Sequence, residues 1–315
     1  MSCVLVTGAA GFIGQALVKR LLNEGIQGRP VHRLILSDLS LADIQGAPQL
    51  ILEEGSFADK AVVQRLLRHQ PDTIFHLASV PGGAAERNPV LGRSVNLDAT
   101  LNLLESCQEL KRAPRFVYAS SIAVYGDTGA SCVSEDMTPS PIITYGAHKL
   151  ACETMLADAS RRGWVDGCAM RLPGIVARRD ENPGLASAFM SQVFWKLANK
   201  QPIVLPVSST GMCWWMSVKT CANNLIHMAG MDSKLWSACR SYQMPVLHLG
   251  IDEVVQALAK CFNVDAKALV RYEPDPFIDA VFARYPPLST PRAEGIGLRN
   301  DVSVDQLVHN VFDQS

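Results

Sequence analysis

Tyr145 and Lys149 stand four residues apart in Tyr145-Gly146-Ala147-His148-Lys149, and on a helix that spacing is one face. Both side chains then point to one place. Just upstream the strand-like run Arg115-Phe116-Val117-Tyr118-Ala119 ends in Ser120-Ser121, which sets a hydroxyl at a strand end. A phenol beside an ammonium suits the removal of a proton from an alcohol whose carbon gives up hydride. Free tyrosine has a pKa of about 10, so ionising it near pH 7 takes roughly 4 kcal/mol of preferential phenolate stabilisation. An ammonium one helical turn away has the right sign to contribute to it. Tyr145 therefore reads as base, Lys149 as its activator and a ribose anchor, and Ser121 as hydrogen-bond partner of the reacting oxygen. Tyr-x-x-x-Lys alone is unspecific; its place directly after a strand-ending Ser-Ser gives it weight.

Hydride needs an acceptor, and the start of the chain offers it a seat. In Val4-Leu5-Val6-Thr7-Gly8-Ala9-Ala10-Gly11-Phe12-Ile13-Gly14 an apolar β-type run stops at a glycine turn. A helical pattern then opens with Phe12, Ile13, Ala16, Leu17, Leu21 and Leu22. Gly8 permits the turn, Gly11 lets backbone approach a pyrophosphate, and Gly14 lets the helix pack close to the strand. The helix start aims N–H groups and a positive dipole end at the phosphates. Asp38 closes the next apolar run, Leu34-Ile35-Leu36-Ser37, about 20 residues beyond the turn. A carboxylate there accepts from ribose hydroxyls and repels a 2′-phosphate, so NAD is favoured over NADP.

The elements that must position these groups alternate in order. A helix runs to about Glu24 and is followed by the strand before Asp38, a strand at Gln49–Glu53, a helix at Asp59–Arg68 and a strand at Thr73–Leu77. The stretch Val80–Asn88, with Gly82-Gly83, reads as a small-residue loop. A long helical pattern carries Val95, Leu97, Leu101, Leu104 and Cys107, with Asn96 either satisfied within the helix or bracing the site. After the strand ending at Ser121 come the helix from Thr144 and a strand at Gly167–Leu172. Strict alternation predicts an α/β fold with a doubly wound parallel sheet. Beyond Pro173 the alternation stops. A charged loop, Arg178 to Gly184, precedes a helix around Ala188–Ala198, strands at Ile203–Leu205 and Cys213–Met216, and a helix from Val218. The expected division is a Rossmann-type domain over 1–173, to which 217–230 returns, and a smaller C-terminal substrate lobe over 174–216 and 231–315.

Composition narrows the class. Of 315 residues, 48% are hydrophobic, and 29 basic residues balance 30 acidic ones for a net charge of −1, with no basic run to recruit nucleic acid or an anionic membrane. No stretch approaches the roughly 18 apolar residues that span a bilayer, and the first apolar run leads straight into the glycine turn rather than a cleavage site. The chain reads as soluble and cytoplasmic. Its nine cysteines form no Cys-x-x-Cys pair and read as reduced, with Cys3, Cys152, Cys168 and Cys261 inside apolar patterns. Seven histidines show no metal-ligand spacing, so no metal is expected, and His76 reads as structural.

In combination, Gly8-x-x-Gly11-x-x-Gly14, Asp38, Ser121 and Tyr145-x-x-x-Lys149 resemble the extended short-chain dehydrogenase/reductase superfamily, which includes nucleotide-sugar epimerases and dehydratases. Over nearly the whole chain, Gly28-Arg29-Pro30, Ser120-Ser121-Ile122-Ala123-Val124-Tyr125-Gly126, Ser160-Arg161-Arg162-Gly163, Arg171-Leu172-Pro173 and Glu273-Pro274-Asp275-Pro276 are similar to the D-erythronate dehydrogenase family, which oxidises the 2-hydroxyl of a four-carbon sugar acid with NAD. The resemblance implies that Phe12, Ile13, Leu77, Ala78, Ser79, Asn96, Ser120 and Pro173 join the cofactor site, that Ser79, Ser121 and Tyr145 face a sugar-acid substrate, and that the protein is a homodimer built from the helices carrying Asn96 and Tyr145. Two places depart from the pattern. Gly55-Ser56-Phe57 stands where the superfamily often has Gly-Asp-hydrophobic, so a polar adenine contact falls to Ser56. Met212 to Lys219 carries Trp214 and Trp215 where histidine or arginine contacts to substrate are expected, which leaves Arg178 or Lys219 for the carboxylate and Trp214 as an apolar wall. A nucleotide-sugar epimerase or dehydratase that retains its NAD is the main alternative, and a non-catalytic NAD-sensing module a third.

Overall fold

The short apolar runs become parallel strands, and the amphipathic segments between them cross from one strand to the next. The computed structural model describes residues 2–42, 44, 46–127, 129, 131–179 and 187–313. Its main sheet has seven strands, β1 (Cys3–Thr7), β2 (Arg33–Asp38), β3 (Leu50–Glu54), β4 (Thr73–His76), β5 (Arg115–Ser121), β6 (Asp166–Leu172) and β7 (Ser241–Gln243). They lie in the order β7-β6-β5-β4-β1-β2-β3, and every neighbouring pair is parallel. The winding reverses between β1 and β4, where open α/β sheets bind their ligands. This is the doubly wound, Rossmann-type sheet that the alternation predicts. Val4, Leu5 and Val6 are fully buried, as strands covered on both faces must be.

Helix α1 (Phe12–Glu24) buries Leu17, Val18 and Leu21 and stops at Gly25, whose φ of 67° favours glycine. Helix α2 (Lys60–Arg68) starts at Asp59, whose carboxylate accepts from the Ala61 N–H. The stretch after β4 differs from expectation. Instead of a loop over 80–88, the chain forms two short helices, α3 (Gly82–Arg87) and α4 (Pro89–Arg93), the second begun by Asn88 accepting from the Leu91 N–H. The glycines of α3 are outweighed by helix formers and by Ala85, which is fully buried. The long helical pattern then passes through a π turn at Ser94–Asp98 before α5 (Ala99–Ser106). Helix α6 (Thr144–Arg161) lies between β5 and β6 in sequence.

The chain divides into two units. One comprises Met1–Asp127, Met137–Leu172 and Ala222–Gln243, the other Thr128–Asp136, Pro173–Cys221 and Met244–Ser315. The segment Ala222–Gln243 runs with the sheet unit, where Ser241–Gln243 pairs with Ala169–Arg171 as the outer strand. Its core includes Leu5, Ile35, Leu66, Leu103, Phe116 and Leu156. The second unit has a three-stranded sheet of Leu247–Gly250, Met212–Ser217 and Gly174–Val176. Helices Ala188–Ala198, Ile251–Phe262 and Val304–Phe312 surround a core with Phe194, Trp215, Leu258 and Leu307. Of the charged loop Arg178 to Gly184, residues 180–184 lie outside the described residues.

All nine cysteines are free thiols, and Cys3, Cys152 and Cys168 are buried in apolar surroundings. Cys261, although inside an apolar pattern, is exposed. The buried positions of its helix are Ile251, Val254, Val255, Leu258 and Ala259, a stripe that position 261 falls beside. Among the described residues no helix is long and apolar enough to cross a membrane, and no group of three His, Cys, Asp or Glu is placed to hold a metal ion.

Candidate active site

A cavity of about 460 Å³ opens over the reversal point of the sheet, lined by Gly8, Ala10, Gly11, Asp38, Ser56, Phe57, Leu77, Ala78 and Ser79 among others. The glycine turn fits closely against the chain leaving β4. Gly8 has φ +71°, and a Cβ there would come within 2.8 Å of the Ala78 nitrogen. At Gly14 a Cβ would lie 2.1 Å from the Gly8 carbonyl oxygen, so only glycine lets α1 start this near β1. Asp38 ties the two edges of the cavity together. Its carboxylate accepts from the Ala10 N–H at 2.9 Å and from the Leu39 N–H at 2.7 Å. A dinucleotide suits this cradle: glycine backbone and the first turn of α1 for phosphates, and a carboxylate at the end of β2 for ribose hydroxyls. Gly8, Gly11, Asp38, Ser56, Leu77, Ala78 and Ser79 are thus brought together. Phe12 and Ile13 stand half-buried in the first turn of α1, and Pro173 belongs to the second unit.

The floor of the cavity is held by a buried polar chain. Thr100 Oγ1 donates to the Asn96 carbonyl at 3.0 Å, so its contact with His76 Nε2 at 2.9 Å must be one in which the imidazole donates. Nδ1 of His76 then accepts from Thr7 Oγ1 at 2.7 Å, and Thr7 Oγ1 accepts from the Ala78 N–H at 3.3 Å. At the other end, Asn96 Oδ1 accepts from the Val80 N–H at 2.7 Å and from Ser79 Oγ at 3.1 Å, while Nδ2 donates to the Val80 carbonyl at 3.0 Å. The chain closes on itself across Ala78, Ser79 and Val80. Asn96 thus braces the cavity wall from beneath, through a π turn, an irregularity that concentrates at functional sites. His76 is fully buried; burial, with the Lys149 charge adding to it, holds its pKa down at about 3. It is a neutral structural residue.

Ser121, Tyr145 and Lys149 gather at the end of β5. Lys149 is almost completely buried and donates to the Ala119 carbonyl at 2.7 Å, with Nζ 5.4 Å from the centre of the Tyr145 ring. Ser121 begins a short 3₁₀ turn, Ile122–Val124, and its Oγ accepts from the Ala123 N–H at 3.2 Å. Helix α6 packs directly on that turn, since a Cβ at Gly146 would sit 2.2 Å from the Ala123 oxygen. The residue after Tyr145 therefore touches the turn that Ser121 opens. On another side of Tyr145, a Cβ built on Gly82 would lie 3.6 Å from the tyrosine Cβ, and the Glu86 carboxylate accepts from the Thr144 N–H at the start of α6.

Behind this group, Glu153 accepts from the Arg171 guanidinium through Nε at 3.0 Å and Nη2 at 2.7 Å, and from Ser120 Oγ. Arg171 Nη1 donates to the Tyr125 hydroxyl at 3.0 Å. Ser120 is thus turned into this buried cluster. In the second unit, the Arg178 carbonyl accepts from Trp195 Nε1 at 2.9 Å. Lys219 is ion-paired with Asp313 at 2.5 Å. Trp214 is buried, stacked on Tyr285 and donating to the Pro286 carbonyl. The sequence motifs give Arg171 and Tyr118 no role at the site and leave Glu153 unnamed. Periodicity held the signal for Glu153, which continues the four-residue step from Tyr145 through Lys149.

Residues 4–250 match the model of the NAD dependent epimerase/dehydratase family. The chain is 31% identical over 311 residues to the D-erythronate dehydrogenase of Cupriavidus necator, covering 97% of this chain and 96% of that one. It is 29% identical to the D-erythronate dehydrogenase of Haemophilus influenzae, covering 99% and 98%. A solved structure of a nucleoside-diphosphate-sugar epimerase from Agrobacterium tumefaciens superposes with a TM-score of 0.88 at 31% identity, covering 98% of this chain and 92% of that one.

Proposed function

The chain belongs to the NAD-dependent epimerase/dehydratase family, and from that premise we propose that it oxidises the 2-hydroxyl of D-erythronate, or of a close relative among small sugar acids, to the 2-oxo acid with NAD. The observation that carries this reading is the near-full-length likeness to two proteins named D-erythronate dehydrogenase. The gathering of Ser121, Tyr145 and Lys149 at the end of β5 supports it.

NAD, when bound, accepts the hydride from the alcohol carbon; Gly8, Gly11, Asp38 and Ser56 would hold it. Tyr145 takes the hydroxyl proton as the carbon–oxygen double bond forms, and Lys149 keeps a positive charge against the phenol while the proton moves. Ser121 Oγ spends an acceptor lone pair on the Ala123 N–H, and its own O–H points a donor at the reacting oxygen. Hydride and proton together account for the two hydrogens lost by the alcohol. A substrate carboxylate calls for a charge-assisted contact, with Arg178 or Lys219 as its proposed partner. The test is incubation with NAD and three- to six-carbon aldonates while NADH absorbance is followed; silence across the panel removes this reading.

A second reading, favoured by the epimerase name of the solved structure, is a nucleotide-sugar epimerase that regenerates its NAD. It would convert a nucleoside-diphosphate sugar with no net NADH. A homodimer built from the helices carrying Asn96 and Tyr145 is also proposed, supported by Val90, just before the π turn of Asn96, and Met155 on α6, which are 81% and 38% exposed although apolar. Sedimentation equilibrium at micromolar concentration tests it, and a monomer mass refutes it.

A further inference from the structure

Lys149 holds its charge in a setting built from carbonyl and ring rather than carboxylate. Its Nζ donates to the Ala119 oxygen at 2.7 Å and lies 4.7 Å from the centre of the Tyr118 ring, nearer than to that of Tyr145 at 5.4 Å. Tyr118 is itself buried, in the middle of β5, with the His76 ring stacked on it at 5.7 Å. We propose that Tyr118 is a positioning residue for Lys149, its π face holding the ammonium against Tyr145 so that the charge stays where the phenol needs it.

The physical case rests on what a ring can do that other side chains cannot. An ammonium within about 6 Å of an aromatic centre is attracted to the ring face, the more so when desolvated. A carboxylate in that place would hold the lysine more strongly but neutralise its effect on Tyr145. An aliphatic side chain would fill the space without attraction. The titratable neighbours agree. Glu153, one turn further along α6, has its carboxylate committed to Arg171 and Ser120. His76 on β4 is neutral, and burial pushes the Cys152 thiol on α6 up, so it too carries no charge. Tyr118 is held un-ionised by burial, its pKa well above the usual phenol range. The positive charge of Lys149 is thus left to act on Tyr145.

This inference rests on Tyr145 as base and Lys149 as its activator, so its test reads the tyrosine directly. Ultraviolet phenolate absorbance is titrated in the full-length protein, and the contribution that disappears in Tyr145→Phe is assigned to Tyr145. Tyr118→Leu moves that titration up by about one pH unit, a tenfold change, and carries the acid limb of kcat/KM with it; Tyr118→Phe, which keeps the ring, tracks the unmodified protein. Phenylalanines bearing successive fluorines at position 118 keep the volume and weaken the ring face, so the shift grows with fluorine number, and this series decides the matter where Tyr118→Leu fails to fold. A flat series, or Tyr118→Phe displaced as far as Tyr118→Leu, overturns the proposal. A Tyr145→Phe protein that still turns over substrate sinks the functional reading alone, whatever the titration shows.

Discussion

Arg171 and Glu153 form a two-pronged ion pair, Nε to Oε1 at 3.0 Å and Nη2 to Oε2 at 2.7 Å, in which both residues are buried. Such a pair joins β6 to the helix that carries Tyr145 and Lys149. Removing one partner leaves a buried charge uncompensated, which costs about 3–5 kcal/mol. Arg171→Leu should therefore lower the unfolding free energy by that order in urea. Replacing both residues with leucine should return much of it, because an apolar pair of similar volume is often no less stable. A double variant as unstable as Arg171→Leu would contradict this account.

The catalytic assignment makes a separable set of expectations. Tyr145→Phe removes the proton acceptor and should cut kcat by about 10²–10⁴-fold. Ser121→Ala deletes a donor at the developing oxygen and should cost about 10²–10³-fold. Steady-state NADH formation with an active aldonate measures both. The Ser121 side chain accepts from the Ala123 N–H at the start of a short 3₁₀ turn, so its loss should lower stability in urea by no more than about 1 kcal/mol. A large fall in stability would assign it a structural role instead.

Much of this site was legible from the chain. The glycine spacing, Asp38 and the four-residue step of Tyr145 and Lys149 are local patterns whose geometry follows from one strand, one turn or one helix. What could not be read are relationships set by distant pairing. Tyr118 lies next to Lys149 only because β5 and α6 pack together, and Arg171 meets Glu153 only because α6 also packs against β6. The helix at Gly82–Arg87 was hidden by two glycines whose low propensity is overridden by burial of Ala85. The glycine turn is a local feature that backbone conformation dictates, whereas Lys219 and Trp214 find partners in Asp313 and Tyr285 far along the chain.

Cofactor choice should rest on Asp38. Its carboxylate already accepts from the Ala10 and Leu39 N–H groups, which fixes it at the cavity edge. Asp38→Ala should weaken NAD binding by roughly 10–100-fold, the loss of hydrogen bonds to a charged acceptor. It should also narrow the preference over NADP, since the repulsion of a 2′-phosphate goes with it. KM values for the two cofactors decide this, and an unchanged ratio would locate the discrimination elsewhere.

His76 gives the protein a calculable sensitivity to acid. In the folded state it stays neutral, with burial and then the Lys149 charge holding its pKa at about 3, while in the unfolded chain a histidine titrates at about 6.5. Above pH 6.5 neither state binds the proton, and the residue contributes no pH dependence. As the pH falls below 6.5 the unfolded chain takes up a proton that the folded protein refuses, so stability declines by about 1.4 kcal/mol per pH unit down to about pH 3. At pH 5 the loss is about 2 kcal/mol. His76→Gln breaks the links to Thr7 and Thr100 and should be less stable at both pH values, yet its stability should fall by about 2 kcal/mol less between neutral pH and pH 5. Other titrating groups act equally in both proteins and cancel in that difference. Urea midpoints at the two pH values measure it, and equal declines would show that the imidazole accepts a proton inside the fold.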